Sequence, residues 1–202
     1  MVPDKIVIAS MFIVLCLLGI SFSLRPNWLK MMKVKNNRTD SNTSHEPKRY
    51  FLGHHPDCSF FDTHRIGYAK KTWCAGCVGL FIGCLVSMIL MILYVIISYQ
   101  QPSTFSRLLF FLGLFLITLV YAELFLGSCS APIHTIFNSL FIIGFFCVTI
   151  GIIELSGNGI YGFFTILICI LWLETRIQLS GWRHSRLCNE CSESCKMYDA
   201  SC

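Results

Sequence analysis

Cys74 and Cys77 stand with two residues between them, and His55 and Cys58 precede them at the same interval, giving the pattern H-x2-C-x15-C-x2-C. Two ligands at this interval reach one ion from a tight turn, and two such pairs supply the four nitrogen or sulfur donors of a tetrahedral zinc site. Gly76 falls where that turn is expected to be tightest, and its missing side chain suits the position. The intervening residues 65–73 are expected to fold as a short hairpin turning near Ala69 and Lys70, which brings the pairs together. His54 and His64 compete with His55 for the imidazole role, the plain alternative being histidines that merely sit at headgroup level.

The C-terminal segment carries a second set, His184, Cys188, Cys191 and Cys195. These are again four zinc-type donors. An iron–sulfur cluster using three of the cysteines with a fourth ligand such as Cys202 is the alternative there, although the spacing matches no ferredoxin run, and a reduced tail of free thiols is a third. Cys74-Ala-Gly-Cys77 also admits redox chemistry, because a helix N-terminus lowers a thiol pKa by stabilising the thiolate. A membrane thiol–disulfide oxidoreductase is therefore the enzymatic alternative. A metal transporter that captures soft ions on these cysteines is a further one, though no row of Cys, Met or His is evident inside the apolar segments. The chain lacks G-x-x-x-x-G-K-S/T, G-x-G-x-x-G and H-E-x-x-H, which removes the usual nucleotide and metalloprotease readings. No catalytic residue is assigned.

The elements that must position these donors are membrane helices. Of the 202 residues, 54% are hydrophobic and 13% charged. A soluble domain carries about 25% charged residues, so a water-facing surface of this size is excluded. A span needs roughly 20 apolar residues. Such runs occur at 6–24, 78–99, 108–126, 136–153 and 160–179, separated by a polar basic loop at 25–77 and followed by a Cys-rich tail at 180–202. The fold class expected is an all-α integral membrane protein of about five transmembrane helices. The last run is long enough only if Glu174 and Arg176 lie at the interface, with the arginine snorkelling toward headgroups. The first run competes with a cleaved signal peptide. Its apolar core is longer than usual and no A-x-A site follows, so a retained helix is expected.

Every Lys and Arg except Lys5 and Arg107 falls within 25–71 or after 175. The positive-inside rule makes that side cytoplasmic, with the N-terminus outside and the C-terminus in the cytoplasm of a cell-membrane protein. The net charge of +5 is thereby explained by topology; the bilayer is the partner implied, and nucleic acid is not. A reducing compartment disfavours disulfides, which turns the loop and tail cysteines toward metal or redox roles. The sequons at Asn37 and Asn42 are then chance matches. Cys16, Cys84, Cys147 and Cys169 lie inside apolar runs and are expected to pack as small hydrophobes. Glu123 and Glu154 fall within about a turn of a helix end, where water reaches them. Asn138, Ser139 and Thr149 form at most a polar strip.

From Cys74 onward, Cys-Ala-Gly-Cys-Val-Gly-Leu-Phe-Ile-Gly resembles an uncharacterised family of small prokaryotic membrane proteins, domain of unknown function 2085. That family's hallmark is C-A-x-C-x-G-I/L-Y/F-x-G opening a transmembrane helix, preceded by a His/Cys-bearing segment with a Ser-Phe step. Here that segment runs from His54 to Phe61 with the step at Ser59-Phe60, so the likeness covers residues 54–83. Gly76 departs from the pattern, where arginine is expected. The resemblance implies a multispanning membrane protein and no established activity. Gly79 and Gly83 also form a G-x-x-x-G step, which lets two helix backbones approach closely in lipid. The function expected is a metal-stabilised membrane module, in which zinc staples loop and tail against the helix ends and the whole scaffolds or binds another membrane protein.

Overall fold

Inside a bilayer every backbone N–H and C=O must find its partner within the protein, so long apolar runs close into helices. The computed structural model describes residues 2–24, 51–52, 65–68, 71–97, 103–126 and 130–189. Its helices are α1 (Val2–Leu24), α2 (Ala75–Ile97), α3 (Ser103–Leu126), α4 (Ala131–Ser156) and α5 (Gly159–Asn189). All five are long and apolar enough to cross a membrane, so the chain is an all-α multi-pass membrane protein. The helices alternate in direction. One end of the bundle gathers Ser23 beside Cys77 and Glu123 beside His134; the other gathers Lys5, Tyr94 and Glu154.

Helix limits follow capping rather than hydropathy. α4 begins at Ala131, ahead of its apolar run, because extended Ser130 (φ −71°, ψ 159°) leads into a first turn that accommodates proline. It stops at Gly157, whose φ of 63° is left-handed and whose N–H donates to the Ile153 carbonyl at 3.0 Å. Asn158 then caps α5 by accepting from the Ile160 N–H at 2.9 Å. α5 continues through Asn189, past the expected end at 179. Its 31 residues extend well beyond the reach of a bilayer core, about 46 Å against about 30 Å.

α4 is the helix the others surround: 67% of its span is buried, against 22% for each of the other four. Glycines set the closeness of this packing. A Cβ on Gly83 would meet the Ser139 carbonyl oxygen at 2.8 Å, and one on Gly113 would meet the Gly144 oxygen at 2.7 Å. α2 and α3 therefore touch α4 backbone to backbone, and the G-x-x-x-G step is a helix contact as expected. Phe145 stacks on Trp172 across the α4–α5 seam, with Phe141 tilted beside Phe145 on α4. The perimeter is apolar, with Ile96, Phe111, Phe115 and Leu171 exposed. In water such a surface would be a liability; around a helical bundle it is the face that meets lipid tails.

Ser87 is fully buried on α2 and its Oγ has no hydrogen-bond partner among the described residues. A buried hydroxyl left unpaired costs about 1–3 kcal/mol. Ser87→Ala is expected to raise the unfolding temperature in detergent slightly or leave it unchanged; a clear fall would mean that the hydroxyl has a partner.

Candidate functional site

The loop before α2 folds as a small sheet in which β3 (Lys71–Cys74) lies between β1 (Phe51–Leu52) and β2 (Arg65–Tyr68). β2 and β3 are antiparallel with Tyr68 opposite Lys71, so the expected hairpin pairing is present, while Ala69 and Lys70 themselves lie outside the described residues. β1 runs parallel to β3, with Leu52 opposite Trp73. Two consequences follow from this register. Arg65 opposes Cys74, so the chain enters β2 at the Cys74 end of the sheet; and β1, being parallel, leaves the sheet at that same end. Residues 53–64 join those two points. His54, His55, Cys58 and His64 belong to that connection and lie outside the described residues.

Cys74 closes β3, Ala75 opens α2, and Cys77 sits in the first helical turn. Their thiols hydrogen-bond to each other and are not oxidised to a disulfide. Cys74 is buried and Cys77 half-buried. The expectation of a tight turn at Gly76 is corrected. The segment is a strand-to-helix junction, Gly76 is helical without a positive φ, and helical spacing itself brings positions three apart onto one face. A Cβ on Gly76 would find only ordinary contacts, 3.7 Å to Cys74 Sγ and 3.8 Å to Asn138 Nδ2. The junction is fastened on both sides. Ser23 Oγ on α1 donates to the Cys77 carbonyl at 2.6 Å, and Thr135 Oγ1 on α4 donates to the Ala75 carbonyl at 3.2 Å.

His184 and Cys188 fall within the range of α5 rather than in a segment that follows the helix. Cys191 and Cys195 lie outside the described residues. Among the described residues, no three or more His, Cys, Asp or Glu side chains converge on a metal-sized site.

Beneath the dithiol lies a polar cluster that the sequence did not reveal. Arg176 does not snorkel outward. Its Nη1 donates to Asn138 Oδ1, its guanidinium lies 5.0 Å from the centre of the Phe141 ring, and its Nε is buried without a partner. Glu123 is 4% exposed, far drier than its place near a helix end suggested. It faces Arg176 as a counter-charge, and its Oε1 meets His134 Nδ1 at 2.6 Å, off the line of a hydrogen bond. Asn138 Nδ2 donates to the His134 carbonyl at 2.6 Å and lies under Gly76, so this cluster adjoins the dithiol directly. At the opposite end Glu154 accepts from both Lys5 and Tyr94, tying α1 and α2 to α4. The signal for both clusters was present as opposite charges at matching depths: Lys5 and Glu154 on antiparallel helices, Glu123 and Arg176 on parallel ones.

Comparison of the chain with protein-family models, with curated proteins and with solved structures gives no match.

Proposed function

We propose that the chain is a zinc-stabilised membrane module that scaffolds or binds another membrane protein. His55, Cys58, Cys74 and Cys77 form one tetrahedral ligand set. His184, Cys188, Cys191 and Cys195 form a second, where an iron–sulfur cluster is the alternative cofactor. The observation that carries this reading is the sheet register: both ends of the connection bearing His55 and Cys58 meet the sheet beside Cys74. The donor chemistry fits, because two soft sulfur donors three residues apart lie together at one strand-to-helix junction. The clustering of Lys and Arg on loop and tail supports a cytoplasmic orientation for this end in a cell membrane. The likeness of residues 54–83 to domain of unknown function 2085 is in keeping with a multispanning module.

Elemental analysis of detergent-purified protein tests it. Zinc is expected in the wild type, and Cys74→Ser and Cys77→Ser are each expected to lose metal and folded yield. Structural zinc contributes folding free energy on the order of 10 kcal/mol in small modules, although the helical bundle will blunt that dependence. Cys147→Ser is expected to change little. Truncation after Arg183 should remove only the tail metal; loss of the loop metal as well would mean one ion bridging the two segments. Unchanged metal in both cysteine variants sinks the loop site. The thiol contact at a helix N-terminus also favours a second reading, a thiol–disulfide oxidoreductase using Cys74 and Cys77. Metal-free protein with a reversible Cys74–Cys77 disulfide would select that enzyme instead.

A further inference from the structure

Four cysteines lie inside the bundle, and they are not alike. Cys147 pairs with no other cysteine, and Cys169 hydrogen-bonds to Thr149. Cys16 on α1 and Cys84 on α2 instead lie within interaction range of each other across the helix seam, and both remain unoxidised. They are almost completely buried, at 4% and 3% exposed. Gly19 leaves room for the pair, since a Cβ there would fall 2.9 Å from Cys84 Sγ. Met88 follows one turn along the same face of α2, partly buried against the same core. Packing alone does not require two sulfurs from different helices to meet.

We propose that Cys16 and Cys84, with the Met88 thioether alongside, form an intramembrane site for a soft monovalent cation of the Cu(I) type. Coordination chemistry selects the ion. Zinc asks for four donors, and no third His, Cys, Asp or Glu joins this pair among the described residues. Cu(I) prefers thiolate and thioether sulfur and is satisfied by two or three such donors. Charge selects it too. An apolar seam tolerates little net charge. One thiolate, one neutral thiol and one monovalent ion sum to zero, and binding releases a single thiol proton. A sulfur site inside the helices is the element a soft-metal carrier needs and the apolar runs alone did not reveal. It uses none of the zinc ligands proposed above and does not depend on them.

The test is Cu(I) binding to the reduced full-length protein in detergent, measured against a chromogenic Cu(I) chelator. Cys74→Ser/Cys77→Ser is the background, which removes the other dithiol. High-affinity Cu(I) binding is expected to survive in that background and in its Cys147→Ala derivative. Adding Cys16→Ala or Cys84→Ala is expected to weaken one site by more than about a hundredfold, because loss of mere outer-shell partners already costs about 10–100-fold. Cys84→Met, which keeps a soft donor, should retain more affinity than Cys84→Ala. Bound Cu(I) should also protect Cys16 and Cys84, but not Cys147, from a membrane-permeant maleimide, read by mass spectrometry. Equal Cu(I) affinity with and without Cys16 and Cys84 would overturn the proposal, as would equal alkylation with and without the ion. Zinc content of the wild-type protein, measured in parallel, reports separately on the loop and tail sites.

Discussion

Arg176→Met should destabilise the folded protein by about 1–3 kcal/mol, the usual cost of leaving a buried polar partner unsatisfied. The guanidinium is the counter-charge that Glu123 faces from α5, and its Nη1 holds the side-chain oxygen of Asn138. Without it a buried carboxylate loses the positive charge opposite it, and the Asn138 oxygen loses its donor. The double variant Arg176→Met/Glu123→Gln should recover part of the loss, because it also removes the buried charge that the guanidinium opposes. Thermal unfolding in detergent and the yield of monodisperse protein measure both. A single variant within about 0.5 kcal/mol of wild type, the range of ordinary surface changes, would mean that the arginine faces headgroups after all.

Gly79→Ala should be the most damaging single-methyl change in the bundle, while Gly76→Ala, three residues earlier, should be nearly silent. A Cβ on Gly79 would land 2.6 Å from the Asn138 Cβ and closer still to the Thr135 carbonyl oxygen. The obstruction is largely backbone, so α2 must move away from α4, and the Ser139 Oγ hydrogen bond to the Gly79 carbonyl goes with it. Overpacking of this kind costs about 1–3 kcal/mol, occasionally more. The Gly76 position offers contacts no closer than 3.7 Å. Comparable unfolding temperatures for the two variants would refute the backbone-to-backbone contact.

The bilayer explains why so much of this fold was legible. A one-dimensional constraint, enough apolar residues to cross, decides where helices exist, and all five runs became helices. The hairpin was legible because bringing the two ligand pairs together suggests that residues 65–73 fold back, and the antiparallel register of Arg65–Tyr68 with Lys71–Cys74 agrees. Helix ends were less so: hydropathy ignores Ser130 and its proline-tolerant start, and it stops at the last apolar residue although α5 continues to Asn189. Arg176 escaped for a different reason. Whether a charge at the end of an apolar run turns outward or inward depends on what faces it, and its partner Asn138 is thirty-eight residues away on another helix. The same limit hid the Cys16–Cys84 contact, since each cysteine alone looks like an ordinary small hydrophobe.

The central place of α4 has a consequence for biogenesis. Its span is as apolar as that of α3, with a mean hydropathy of 2.4 in both, yet in the finished bundle most of it never meets lipid. That apolarity serves the journey rather than the destination, since a helix must partition into the bilayer before its neighbours can enclose it. α5 is the reverse case, the least apolar of the five at 1.7, and it is synthesised last. By then Glu123 on α3 and Asn138 on α4 are already in the membrane. Arg176 therefore enters a bilayer that holds its counter-charge and its hydrogen-bond acceptor, and the order of synthesis lets a marginal segment insert against a prepared surface.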